Sequence, residues 1–224
     1  MPEANQLSPQ AEQLRHMLRQ RAFTEIYLPR RPPVVFPLLQ KEKLYDMCAE
    51  ALGGTLGTYL EFGVYQGWSM FRMVQRFTNP DARFFGFDSF EGLPEQWGKA
   101  MDVGHFSTDK RLPDIADPRV RFIPGWFQNT VSRFLHDNAP LPAPVLVNFD
   151  ADLYSSTLFL LTTLWHFVPE YHFFFDELMP DEVVAMYDLV SAYPVEFEFF
   201  AATEGEHQIP QQVYGRLKNT RLQL

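Results

Sequence analysis

Asp150 and Asp152 stand one residue apart where an apolar run, Pro144 to Phe149, breaks off. Asp176-Glu177 closes a second run, Tyr171 to Phe175, in the same way. Apolar runs of this length between helical patterns read as buried strands, so the spacing delivers four carboxylates to two strand ends. In open α/β sheets, ligands bind outside the carboxyl ends of the strands. Carboxylates crowded there repel one another unless a cation or a shared proton lies between them. An acidic ligand site is therefore the first expectation.

Three other strand ends carry ligand-type residues. Gly63 and Gly67 bracket a turn in Leu60-Glu61-Phe62-Gly63-Val64-Tyr65-Gln66-Gly67-Trp68-Ser69, where backbone can approach a ligand closely. The pattern is not the Gly-x-Gly-x-x-Gly fingerprint, which argues against a pyrophosphate-bearing dinucleotide. Asp88 follows Gly67 by 21 residues, about where an acid binds ribose hydroxyls in nucleotide folds. Gly125-Trp126-Phe127 offers an aromatic pair at a third tip. Each has a plainer duty as well: the glycines serve the turn, Asp88 caps the segment after it, and Trp126 and Phe127 fill core.

The elements that must hold these residues alternate. Strand patterns cover Thr58 to Val64, Arg83 to Phe87, Val120 to Ile123, Pro144 to Phe149, Tyr171 to Phe175, Val195 to Phe200 and Gln211 to Leu217. Helical patterns cover Gly67 to Phe77, Gln128 to His136, Leu153 to Phe167 and Pro180 to Ala192. This order predicts an α/β fold, a doubly wound Rossmann-like seven-stranded, mostly parallel sheet with helices on both faces. Only Thr203 to Pro210 separates the last two strands, so they form a C-terminal antiparallel hairpin. Residues 1–224 read as one domain. Within it, 1–37 is a frayed start, a helix opened by Ser8-Pro9 and a solvated Pro-rich linker, Pro29 to Pro33; 38–224 is the core, entered by a helix from Leu38 to Leu52 with Gly53-Gly54 as its C-cap.

Composition removes several classes. The net charge of −9 disfavours nucleic acid as a partner. No apolar stretch is long enough to span a membrane, and the N-terminus has no signal-peptide pattern. The expectation is cytoplasmic, with homo-oligomerisation left open. Cys48, the lone cysteine, excludes an intrachain disulfide and reads as an inert buried thiol.

The succession of strand ends resembles a class I S-adenosylmethionine-dependent methyltransferase, and more narrowly the macrocin O-methyltransferase family. The match lies in Glu61-Phe62-Gly63-Val64-Tyr65-x-Gly67-x-Ser69, Phe87-Asp88-Ser89-Phe90-Glu91-Gly92-Leu93-Pro94, Gly104-His105-Phe106, Asp150-x-Asp152-Leu153-Tyr154-x-Ser156-Thr157 and Phe175-Asp176-Glu177. The resemblance implies that Glu61, Gly63, Tyr65, Gly67 and Ser69 hold the methionine end of S-adenosylmethionine. It assigns Asp88 and Ser89 to the ribose, and Gly125 and Trp126 to the adenine. It further implies Mg²⁺ on Asp150, Asp176 and Glu177, with Asp152 as the candidate base; by its position Asp152 also reads as an N-cap for the helix beginning near Leu153. The acceptor would be a hydroxyl of a sugar or other natural product, with a metal-independent methyltransferase and a non-catalytic scaffold as alternatives. This chain departs from the pattern in Glu177, where a second Asp is usual, and in the bulky Trp68 inside the first turn. His105 and His207 are candidate substrate contacts in loops.

Overall fold

A computed structural model describes residues 8–97, 101–178, 180–205 and 210–221. Among these residues the chain forms an eight-stranded sheet in the order β1-β7-β8-β6-β5-β2-β3-β4. The strands are β1 (Val34–Phe36), β2 (Thr58–Phe62), β3 (Arg83–Asp88), β4 (Val120–Pro124), β5 (Val145–Phe149), β6 (Glu170–Phe175), β7 (Val195–Thr203) and β8 (Val213–Asn219). The helices are α1 (Pro9–Ala22), α2 (Lys41–Leu52), α3 (Trp68–Arg76), α4 (Phe127–Asn138), α5 (Tyr154–Phe167) and α6 (Pro180–Ala192). No helix among the described residues is long and apolar enough to cross a membrane.

β2 and β5 are buried along their whole length, as expected of central parallel strands covered on both faces. Alternation along β2 divides the core. Leu60 and Phe62 join β5's Val147 and Phe149 under α4, α5 and α6, while Tyr59 joins Leu146 under α2 and α3. Cys48 lies in the second layer, fully buried, and burial pushes its thiol up to about 12, so it is inert at neutral pH.

β8 is antiparallel to both β6 and β7 and slots between them, as the short final connection requires. His207 lies outside the described residues. The expected seven strands become eight because the Pro-rich linker is not merely solvated. Val34 to Phe36 pairs parallel with Ala201 to Thr203 at the sheet's edge. Prolines 32 and 33 are compatible with this, since proline is tolerated at the start of an edge strand. The helix start holds as expected: the Ser8 hydroxyl accepts from the Ala11 amide, with Pro9 at the first position.

β2 pairs with β3 on one side and β5 on the other. The order reverses between β2 and β5, and this is the switch point where α/β sheets bind ligands. Ladder bonds continue past the tips, since the Asp150 amide donates to Phe62 and the Asp176 amide to Phe149. The first acid of each tip is therefore anchored by its own backbone.

Candidate active site

A cavity of about 500 Å³ opens at these tips, within the range of small-molecule sites. Asp150, Asp152, Asp176 and Glu177 all line it. Gly63, Tyr65, Asp88, Ser89, Gly125 and Trp126 form the rest of the wall expected from the sequence. Glu61, Gly67 and Ser69 are buried and not in that wall. Glu61 is fully buried on β2 and accepts hydrogen bonds from the Tyr59 and Ser69 hydroxyls. Burial raises its carboxyl to about 8, against the lowering effect of those two hydroxyls.

The first turn is built by close approach. A side chain at Gly63, whose φ is 90°, would fall on the Asp150 carbonyl. Gly67, at φ 79°, is the N-cap of α3 and meets Pro113 of the long β3–β4 loop. Asp88 closes the turn: its Oδ2 accepts from the Val64 and Tyr65 amides at 2.8 Å each, and its Oδ1 from the Phe90 amide at 2.6 Å. Ser89 turns inward to its own loop, accepting from the Glu91 amide and donating to the Gly92 carbonyl. Gly125 is tied to this ledge by its amide, which donates to the Asp88 carbonyl at 2.8 Å.

The β3–β4 loop folds back over the cavity because its two motifs bind each other. The Leu93 amide donates to the His105 carbonyl and the Gly104 amide to the Leu93 carbonyl, both at 2.9 Å. Gly92 packs against Gly104 with no room for a side chain. The loop contributes Trp97, Met101 and Phe106 to the wall. Phe106 belongs to a motif legible in the sequence; Trp97 and Met101 carried no signal beyond lying in a long loop. His105 is exposed beside Phe106, with ring centroids 4.4 Å apart, and is not in the wall.

Asp152 has a strained backbone. Its φ is 58°, and the Leu153 amide donates across it to the Ala151 carbonyl at 2.6 Å, a γ-turn of the rare positive-φ kind. The N-cap of α5 is Leu153, with no side-chain capping bond, so Asp152 is not held as a helix cap. Its carboxyl faces the cavity instead. Burial, then Asp150, Glu177 and Asp88, push its pKa to about 8. A carboxylate with raised proton affinity is a better general base than an ordinary one. Burial raises Asp150 to about 6, offset by Lys41, and raises Glu177 as well.

Lys41, the first residue of α2, carries no motif in the sequence. Its ammonium is ion-paired with Asp176. Among the described residues no three His, Cys, Asp or Glu side chains converge as a metal's ligand set. As arranged, Asp150, Asp176 and Glu177 share one cavity, but Asp176 is already paired with the Lys41 ammonium, and the three do not fit a divalent ion.

A doubly wound sheet with a glycine turn, a capping acid and an acidic tip at its switch point is the frame of a class I methyltransferase fold. Residues 39–186 match the family described as macrocin O-methyltransferase (TylF), and the chain belongs to that family. It is 29% identical over 160 residues to the 8-demethyl-8-(2,3-dimethoxy-alpha-L-rhamnosyl)-tetracenomycin-C 4'-O-methyltransferase of Streptomyces olivaceus, covering 59% of this chain and 58% of that protein. It is 26% identical over 152 residues to the demethyldecarbamoylnovobiocin O-methyltransferase of Streptomyces niveus, covering 55% and 53%. The chain thus spans a little over half the length of these curated relatives. Its fold is similar to the solved structure of the O-methyltransferase NovP, with a TM-score of 0.54 and 23% identity over 80% of this chain and 79% of that one.

Proposed function

We propose that the chain is an S-adenosylmethionine-dependent O-methyltransferase acting on a hydroxyl of a small-molecule acceptor of the sugar or natural-product type. The observation that carries this reading is a single cavity shared by the Gly63 turn, Asp88 and the Asp150–Asp152 tip. Membership of the family supports the reaction. The rhamnosyl and novobiocin-type compounds in the relatives' names support the acceptor class.

Asp88, with Ser89 beside it, would hold the ribose hydroxyls. The turn from Gly63 to Tyr65 would hold the methionine end, braced by Glu61, Gly67 and Ser69. Gly125 and Trp126 would border the adenine. When bound, the cofactor would supply a sulfonium methyl for transfer to the acceptor oxygen, with the C–S electron pair left on sulfur. Asp152 takes the hydroxyl proton, because its carboxyl faces the cavity with no capping duty to perform. Trp97, Met101 and Phe106 exclude water and hold the acceptor in line, where positioning supplies much of the acceleration.

The magnesium implied by the resemblance is not part of this mechanism. Asp176 is committed to Lys41, and that pair favours the metal-independent form of the reaction. Calorimetry with S-adenosylhomocysteine tests the proposal, with saturable micromolar binding at a single site expected. No binding heat, with the protein folded, would leave only the non-catalytic scaffold.

A further inference from the structure

We propose that the ammonium of Lys41 is the resident cation of the acidic strand tips, occupying by charge the position that a divalent metal would otherwise take. The proposal rests on the methyltransferase reading only for what that charge is for.

Four observations converge on it. Lys41 is ion-paired with Asp176, in a setting where the two side chains are only 22% and 19% exposed. Burial lowers the proton affinity of Lys41, and the nearby carboxylates Asp150, Glu61, Glu177 and Glu42 act against that lowering and favour the ammonium. The charge is framed by aromatic faces, with its nitrogen 5.7 Å from the Tyr45 ring centroid and 5.9 Å from that of Trp68. Finally, Lys41 opens α2, the end of a helix that disfavours a cation through its dipole. An ammonium in that position has a local cost, which the strand tips opposite help to offset together with Glu42.

The chain's two departures at the site meet here. Trp68 covers one side of the ammonium, and Glu177 takes the place of a second Asp beside Asp176. Lys41 is not in the cavity wall. It acts through the carboxylates, whose mutual repulsion it offsets without a metal. A divalent ion placed among the same oxygens would meet a like charge at a few ångströms, which weakens its binding by at least about tenfold.

The test is Mn²⁺ binding to the full chain, followed by electron paramagnetic resonance of the free ion. Wild type and Lys41→Arg should bind no Mn²⁺ more tightly than about 1 mM, the weak end of oxygen-ligand sites. Lys41→Met, which keeps the aliphatic stem and removes the charge, should bind at least about tenfold more tightly. Micromolar binding to the wild type overturns the proposal, as does a Lys41→Met variant that gains nothing. Should Lys41→Met fail to fold, the wild-type melting temperature decides. It should be the same in EDTA and in Mg²⁺, and a rise of several degrees with Mg²⁺ would refute the idea. None of these readouts depends on S-adenosylhomocysteine, so a failure of the methyltransferase reading would appear separately in the calorimetry.

Discussion

Replacing Glu61 by Gln should change how stability depends on pH and leave ligand binding nearly untouched. Glu61 is fully buried between the Tyr59 and Ser69 hydroxyls, and burial raises its carboxyl from an ordinary 4.5 to about 8. A carboxyl raised on folding contributes stability that is complete below the unfolded value and is lost as pH climbs through the folded one. Each unit of that interval is worth about 1.4 kcal/mol, so the whole of it amounts to about 5 kcal/mol. That is comparable to the net stability of many domains, which is about 5–15 kcal/mol. Glutamine has no proton to lose, and its amide can accept from one hydroxyl and donate to the other. Urea unfolding between about pH 5 and pH 8 reads the effect directly. The stability difference, variant minus wild type, should grow by about 1.4 kcal/mol per unit. Parallel pH profiles would refute the reasoning, since they would mean Glu61 is ionised in the folded protein throughout. Because Glu61 is not in the cavity wall, S-adenosylhomocysteine affinity at neutral pH should stay within about threefold.

Asp152→Asn should preserve S-adenosylhomocysteine affinity, since Asn tolerates positive φ, while lowering turnover on a panel of glycosylated natural products by about a hundredfold or more. Unchanged turnover on an accepted substrate removes Asp152 as the base. Gly63→Ala should cost about 3 kcal/mol or more in urea unfolding, because its side chain would meet the Asp150 carbonyl at a φ of 90°. A loss below about 1 kcal/mol would mean that the two tips separate easily. Asp88→Ala strips acceptors from three backbone amides and should weaken S-adenosylhomocysteine by at least about tenfold in calorimetry. Undiminished affinity would exclude Asp88 from the ribose site.

The two carboxylate pairs were legible in the sequence because each comes directly after an apolar run long enough to be a buried strand, which fixes where the acids emerge. The same periodicity gave the alternation of strands and helices and the final hairpin, since these rest on local pattern and connection length. β1 escaped because a three-residue edge strand has no periodicity to read, and only pairing with β7 makes Val34 to Phe36 extended. Of the three residues missing from the wall, Glu61 and Ser69 satisfy each other's polar groups in the buried interior, a partnership that spacing along the chain cannot express.

Trp97 and Met101 enter the wall only because Gly92 and Gly104 pin the β3–β4 loop over the cavity. Lys41 is the sharpest case. In the sequence it is a surface-type lysine at the start of an amphipathic helix. In the fold, α2 packs on the sheet with Tyr45 against Phe174 and carries that charge to Asp176, more than a hundred residues away along the chain. Residue type and local period determine which groups reach the end of a strand. Which groups from other elements meet them there, and with what charge, is decided by packing.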